Sequence, residues 1–307
     1  MAFYNNMTSS TEVSDALIAL WEKAFIVAAQ QDDVVYPFVD TRQISGKSDT
    51  LIKYLNLAAA TTPLTEGDDV SRQPVSEVPI VVTPVEYGAA VTRTSLASLQ
   101  TGGQLDIAAI ELAGRNMGRT MNALGIQALE STSNVRTVGG TAAGSLASTD
   151  IISLAEINRA YNALSRKNIL PVEGGLYVAM AHDDVLHDLR SNVAAGSWMD
   201  VNKYTNVTPL TNEIGSFGGF RWIRNNDCNF ADQTGAGTVD VYKTSFFGSR
   251  ALVNVVSQAP GLRMTGPFDA LARFVNIGWY GVMKFAPMDV DALYQLQSAS
   301  SIGNNAA

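Results

Sequence analysis

Apolar residues recur at steps of three and four from Gln104 to Glu130, QLDIAAIELAGRNMGRTMNALGIQALE, and the pattern runs without a proline or a cap signal. Ile110, Ala113, Met117, Met121, Leu124 and Ala128 fall on one stripe, whereas Arg115, Asn116, Arg119, Asn122 and Gln127 lie off it. The spacing predicts a single helix of about 40 Å, longer than one compact core of this size needs. Gly114, Gly118 and Gly125 lie inside it. Each weakens a helix interior by about 1 kcal/mol relative to Ala, so another segment is expected to cross closely there.

Upstream, Met1 to Ser10 reads as a polar arm, and Ser9 with Glu12 has capping-box spacing. Val13, Leu17, Leu20, Trp21, Ala24 and Ala28 then carry an amphipathic helix to about Gln31. LIKYLNL at Leu51 to Leu57 predicts a strand and VPIVVTPVEYGAAVTRT at Val78 to Thr94 a second. Between them TTPLTEGDDVSRQPVSE carries Glu66, Asp68, Asp69 and Glu77 against Arg72, with no apolar period. A connection of about twenty such residues is uncommon inside a compact domain and reads as an extended functional loop. Pro79 and Pro84 confine the return strand to an edge or bulge. The pair is therefore a two-stranded ribbon, marginal alone in water, and another copy of the chain is the simplest partner for its apolar residues and open edges.

After the long helix, VGGTAAGSLAST at Val138 to Thr149 reads as a linker, and a second compact unit is expected to follow it. Ser153 and Glu156 suggest a capping box for a helix through Leu154, Ile157, Tyr161 and Leu164 to about Lys167. GLYVAMA at Gly175 to Ala181 predicts a buried strand, and Asp183 a capped short helix through Val185, Leu186 and Leu189. FRWIR at Phe220 to Arg224 and VDVYKTSFF at Val239 to Phe247 add strands on either side of a polar loop from Asn225 to Gly237. The last regular element expected is a long strand with Val275, Ile277, Trp279, Met283 and Phe285 on one face. The alternation of types predicts an α+β chain that leaves its first domain at about Thr149 and returns at about Gly248.

The 307 residues are 46% hydrophobic and 16% charged, enough for a sizeable core in one large or two ordinary domains. A net charge of -8 argues against a general nucleic-acid-binding surface and leaves only weak, local contact with nucleic acid. Cys228 stands alone, no apolar run reaches 18 residues, and Met1 to Ser10 lacks signal-peptide regions, so a cytoplasmic protein without disulfide or membrane span is expected.

Catalytic signatures are missed rather than met. GGTAAGS at Gly139 to Ser145 has the glycine spacing of a phosphate loop, but Ser145 stands where its lysine belongs. GAGTVD at Gly235 to Asp240 lacks the third glycine of a dinucleotide fingerprint. AHDDVLHDLR gathers His182, Asp183, Asp184 and His187, but its histidines are five apart, where zinc helices place them four apart around a Glu. Cys228 has no nearby His, and no serine sits in a G-x-S-x-G elbow. No catalytic, cofactor-binding or metal residue is assigned; a metal-dependent hydrolase using the His182 to His187 segment is the least favoured alternative.

The order of parts, with GKSDTLIKYLN, TEGDDVSRQPVSEVPIVVTPVEYG, QLDIAAIELAGRNM, GGLYVAMAHDDVLHDLR and GSFGGFRWIRNND, resembles the major capsid protein of tailed bacteriophages, the Hong Kong 97-like fold. The resemblance implies an N-terminal arm (1–45), an extended β-ribbon loop (46–100), a spine helix with peripheral domain (101–148), an inserted axial domain (149–247) and a peripheral return strand with the C-terminus (248–307). It also implies self-assembly into hexamers and pentamers of an icosahedral shell around double-stranded DNA, located in the virion and assembled in the host cytoplasm. A portal and a decoration protein would be partners; the long N-terminal scaffolding segment of some members has no counterpart here, which implies a separate scaffolding protein or none. An encapsulin-like compartment shell is the alternative of the same fold. The crowded acids Glu66, Asp68, Asp69 and Glu77 are expected to meet a basic patch on a neighbour, with Arg115 and Arg119 as first candidates and Arg72 as an internal partner. Their rival is solvated acids and arginines paired with Asp106 or Glu111 on their own helix. The loop has no lysine, so the lysine–asparagine crosslink of some family members is not expected.

Overall fold

The computed structural model describes residues 21–29, 33–67, 69–70, 72–101, 104–172, 174–191, 213–228, 230–267, 269, 271 and 273–302. Met1 to Ser10, the Ser9–Glu12 capping box and the start of the first helix fall outside them; residues 21–29 are helical and are called α1.

The long periodic stretch is one helix, α3 (Gln104–Glu130), which follows the short α2 (Ser95–Gln100) and has Ile110, Ala113, Met117, Met121 and Ala128 buried. Its three glycines are where the N-terminal segment crosses. A Cβ on Gly114 would lie 2.6 Å from the carbonyl oxygen of Phe25, one on Gly118 would run into the carbonyl of Ala29, and one on Gly125 would lie 2.7 Å from a methyl of Val35. α1 and the chain after it are therefore seated in a groove that only glycine leaves open, and Phe25, Ala29 and Val35 are buried there. Asn122, expected off the buried stripe, is itself fully buried: it exchanges amide hydrogen bonds with Asn225 (3.1 and 3.0 Å) and donates to Asp227 at 2.7 Å.

Among the described residues the strands form two sheets and a ribbon. The first sheet has the order β1 (Asp40–Gln43), β11 (Leu252–Thr265), β12 (Phe274–Pro287), β4 (Val85–Thr94). The predicted strand over 274–285 is β12, and its Ile277, Trp279, Met283 and Phe285 face α3 in the shared core. Trp279 Nε1 donates to Asn116 of α3 at 2.9 Å. β11 was not foreseen, because SQAPG reads as a turn; the structure absorbs those residues as irregularities between Val256 and Gly261 and then resumes pairing.

The second sheet runs β5 (Val135–Thr137), β13 (Leu293–Ser298), β10 (Val241–Phe247), β6 (Tyr177–Ala181), β8 (Phe220–Arg224), β7 (Glu213–Phe217), with β9 (Phe230–Ala231) beside β10. Helices α4 (Leu154–Arg166) and α5 (Asp183–Ser191) accompany it. β12 is thus not the last element: β13 follows it and joins this second sheet, with β5 parallel to it. The second sheet therefore draws one strand from before the division expected at Thr149 and one from after that expected at Gly248. The expected linker is also partly packed, since Val138 and Leu146 are buried under this sheet.

Two helix starts differ from expectation. Ser153 occupies the N-cap of α4 but its side chain makes no cap bond. Glu156 instead is buried between Arg136 (2.9 Å) and Arg159 (2.5 Å), where an ion pair across elements outweighs a local cap. At α5 the cap is His182 rather than Asp183, its Nδ1 accepting the Asp184 N–H at 3.2 Å.

Gly118→Ala separates helix propensity from close packing. Propensity alone favours Ala by about 1 kcal/mol, whereas pushing a methyl against the Ala29 carbonyl costs about 1–3 kcal/mol. A net loss of stability in urea unfolding of the full chain is expected; a stabilised variant would show that α1 does not cross there.

Candidate assembly surfaces

The ribbon is β2 (Asp49–Tyr54) against β3 (Glu77–Val82), paired from Asp49 with Val82 to Tyr54 with Glu77. The return strand expected as one piece over Val78 to Thr94 is broken at Thr83–Pro84. Pro84 has no N–H for a ladder, and beyond it β4 leaves the ribbon and pairs with β12 along its whole length. Pro79 stays within β3, opposite Ile52, because every strand of a two-stranded ribbon is an edge. Past the strands the Leu55 N–H still donates to the Ser76 carbonyl (2.9 Å), and the Gln73 amide bonds both backbone groups of Ala58 at 3.0 and 3.2 Å. The described residues between Ala58 and Gln73 form the tip.

Only the ribbon's root has a core. Leu51, Val82 and Ile80 pack on Val253, Val255 and Ala286 of the first sheet and on Met288 just past β12. Farther out, Tyr54, Leu57, Leu64 and Val75 are 59 to 71% exposed, and at the root Val81, on the outer face, is 65% exposed. Fully burying a large apolar side chain is worth about 1.5–3 kcal/mol, and this surface leaves most of that unrealised within one chain.

An ionic cluster ties the root to the rest of the subunit. Lys53 of β2 reaches Asp289 at 2.5 Å and Asp291 at 3.2 Å, and Lys167, just past α4, reaches Asp291 at 2.9 Å. Both acids lie on the turn between β12 and β13. The Asp289 carboxylate accepts the Asp291 N–H (2.9 Å), and Asn134 Nδ2 donates to the carbonyls of Val290 and Leu293 (2.8 and 3.1 Å). Lys167 first, with Lys53, holds the Asp291 carboxyl below its ordinary range against the opposing effect of burial. Burial would lower the Lys53 ammonium, but Asp289 and Asp291 outweigh it and raise it. An open cavity of about 380 Å³ beside this cluster is lined by Asn134, Arg136, Arg166, Lys167, Asp291 and Tyr294, among others.

The residues singled out in the sequence fall in two places. Glu66, Asp69, Arg72 and Glu77 are exposed on the ribbon and its tip, and Asp68 lies outside the described residues. Arg72 pairs with Asp69 at 3.4 Å, both almost wholly in solvent, which is the internal partnership expected of it. Arg115 and Arg119 are exposed one turn apart on α3, beside the exposed Leu112. Neither makes an ion pair among the described residues, and Asp106, one of their expected partners on the helix, is held by Arg93 of β4 at 2.8 Å and by Ser98. The structure of one chain does not bring the loop acids and these arginines together.

The His-containing segment is occupied by structural bonds: Tyr242 donates to Asp184 at 2.7 Å, and the buried Asp188 accepts from the backbone N–H of Ser301 at 2.9 Å and from its hydroxyl. Among the described residues no group of three or more His, Cys, Asp or Glu could hold a metal. Burial, then Glu130 and Asp227, push the Cys228 thiol far above its ordinary pKa, which disfavours the nucleophilic thiolate. Among the described residues no helix is long and apolar enough to cross a membrane.

No family model matches the chain and no curated protein matches it in sequence. Solved structures do match. The capsid of Ralstonia phage GP4 superposes with a TM-score of 0.71 at 15% identity, covering 89% of either chain. The capsid of cyanophage Pam1 gives 0.67 at 14% identity over 87% of this chain and 92% of that one. A virus-like particle from Pyrococcus furiosus gives 0.58 at 15% identity over 91% and 99%. The chain has the Hong Kong 97-like fold of phage capsid subunits.

The lowered Asp291 carboxyl sets a pH window for the ionic cluster. A group whose folded pKa is depressed contributes stability above its unfolded pKa and loses it as pH falls through the folded value. Amide exchange of β2 and β3, corrected for intrinsic rates, should therefore be unchanged from about pH 8 to about pH 5 and rise below about pH 4. A rise confined to alkaline pH would contradict this assignment.

Proposed function

We propose that this chain is a major capsid protein, a subunit that assembles into the icosahedral shell around the double-stranded DNA of a tailed phage. The observation that carries this is the ribbon: a two-stranded element whose apolar side chains, beyond its root, are not covered by any described residue of their own chain. The fold supports the same reading. Repeated contact with identical neighbours is what such a surface serves, and a chain of this kind needs no active site.

In this reading residues 1–45 form the arm, the ribbon reaches a neighbour, and α3 with the first sheet forms the peripheral domain. The second sheet forms the axial domain and also draws on β5 and β13. The chain is located in the virion, after assembly in the host cytoplasm, and its main partner is itself, in hexamers and pentamers. Portal, a separate scaffolding protein and a decoration protein complete the set, with only weak non-specific contact to packaged DNA. An encapsulin-like shell is a second reading, favoured by the match to the Pyrococcus particle, which spans 99% of that chain; the phage capsids superpose better, at 0.71 and 0.67 against 0.58.

For the ribbon tip we take Glu66, Asp68, Asp69 and Glu77 to meet Arg115 and Arg119 of an adjacent subunit. Four like charges on a projecting loop repel unless a basic surface meets them, and the two arginines are exposed without ion-pair partners among the described residues. Each exposed pair adds only ~0.2–1 kcal/mol, but a closed shell repeats it many times.

Electron microscopy of the purified protein should show closed shells, and a solely monomeric protein would overturn the reading. Replacing residues 59–72 by Asn-Gly should abolish shells while circular dichroism stays unchanged, because the tip contributes no core. Boiled, reduced shells should run as one monomer band, the loop having no lysine. Substituting Asp68 and Asp69 by Asn should weaken assembly and flatten its salt dependence; assembly identical to wild type at every ionic strength would sink the loop–arginine contact.

A further inference from the structure

Three parts of the subunit meet at one short turn. Residues 290–292 join β12 of the first sheet to β13 of the second. Its acids face Lys53 from the ribbon on one side and Lys167 from the end of α4 on the other, with Asp291 shared between the two ammonium groups. The turn itself is stiffened, since Asp289 caps it and Asn134 fastens two of its carbonyls.

We infer that Lys53, Asp289, Asp291 and Lys167 form a clasp that couples the angle of the ribbon to the axial unit, and so positions the ribbon for shell closure. Among the described residues the ribbon's other anchors lie together at its root: the apolar patch around Leu51 and Val82, and Asp49 of β2 paired with Arg42 of β1 at 3.3 Å. Anchors gathered at the root hold a two-stranded ribbon near one point and leave its outer part free to swing, because apolar contact is not directional and an exposed ion pair adds little. A second fixed point displaced along β2 converts the pivot into a lever of set angle. Lys53 supplies that point two residues from Leu51, and like Leu51 it is on the face of β2 turned to the subunit, with the exposed Ile52 on the other. Because Asp291 also carries Lys167, displacement of the axial unit is felt at Lys53, and the reverse holds by linkage. These are positioning residues: none belongs to the exposed surface assigned to the neighbour, but the direction in which that surface points depends on them.

The role in closure rests on the capsid reading above, so the test has one arm that needs no shell. In hydrogen exchange of the full-length, unassembled chain, Lys53→Met should speed exchange in the last turn of α4, and Lys167→Met should speed it in β2 and β3, by about threefold or more. Changes confined to the element mutated would overturn the coupling. In electron micrographs Lys53→Met should close into shells of several diameters where the wild type gives one, and Lys53→Arg should restore the single diameter. Lys53→Met shells identical in diameter to the wild type would overturn the positioning role. Asp291→Asn, which keeps the shape of the turn, should reproduce both effects and guards against a fold defect specific to Lys53. If the wild type forms no shells, the capsid reading falls while the exchange arm still decides the coupling.

Discussion

Both sheets pack against α3, and the N-terminal segment reaches the same core because three glycines of that helix leave room for it. Of the 27 residues, 13 are buried, and they include Gly114, Gly118 and Gly125 as well as the apolar stripe. One continuous core joins Phe25 and Val35 of the N-terminal segment, Ile277, Trp279 and Met283 of the first sheet and Val178, Ile223, Phe247 and Leu293 of the second. A helix with side chains in place of the glycines would hold its neighbours farther away and lose this contact. The polar exception, Asn122 against Asn225 and Asp227, adds direction to what packing leaves loose: removing one partner strands a buried amide at a cost of about 1–3 kcal/mol. The second sheet is thereby registered on the helix rather than merely stuck to it.

What the sequence revealed and what it hid follow from the range of the interactions. The 27-residue period, the three glycines and the buried runs at Tyr177–Ala181 and Phe220–Arg224 are local patterns, and they were legible. β11 was hidden because Pro260 and Gly261 read as a turn, while the structure tolerates them as an irregularity against β12, where Gly281 leaves room for Pro260. β13 was hidden because LYQLQS carries glutamines, one of them buried, in a strand covered on both faces. The acid-rich tip was legible as a run of charge. The ionic cluster was not: Lys53 and Asp289 are 236 residues apart, and no window of sequence holds both.

The exposed ribbon poses a problem of its own. An apolar, two-edged ribbon is a template for pairing with any other open edge, including the ribbon of another free subunit. The acids at its tip act against that outcome. Two ribbons approaching tip to tip bring Glu66, Asp69 and their neighbours together as like charges, with Arg72 already occupied by Asp69 within each copy, and like-charge juxtaposition is unfavourable. An acidic tip meeting a basic helix face carries no such penalty. The same residues therefore discourage ribbon-to-ribbon association and leave ribbon-to-body association open, a discrimination that comes from the disfavoured partner as much as from the favoured one. Salt weakens both effects together, since exposed charges more than about 8–10 Å apart are screened at physiological ionic strength. Fidelity of assembly and its rate would then respond to ionic strength in opposite ways: salt relieves the general repulsion among subunits of net charge -8 but also relaxes the bar against wrong pairing.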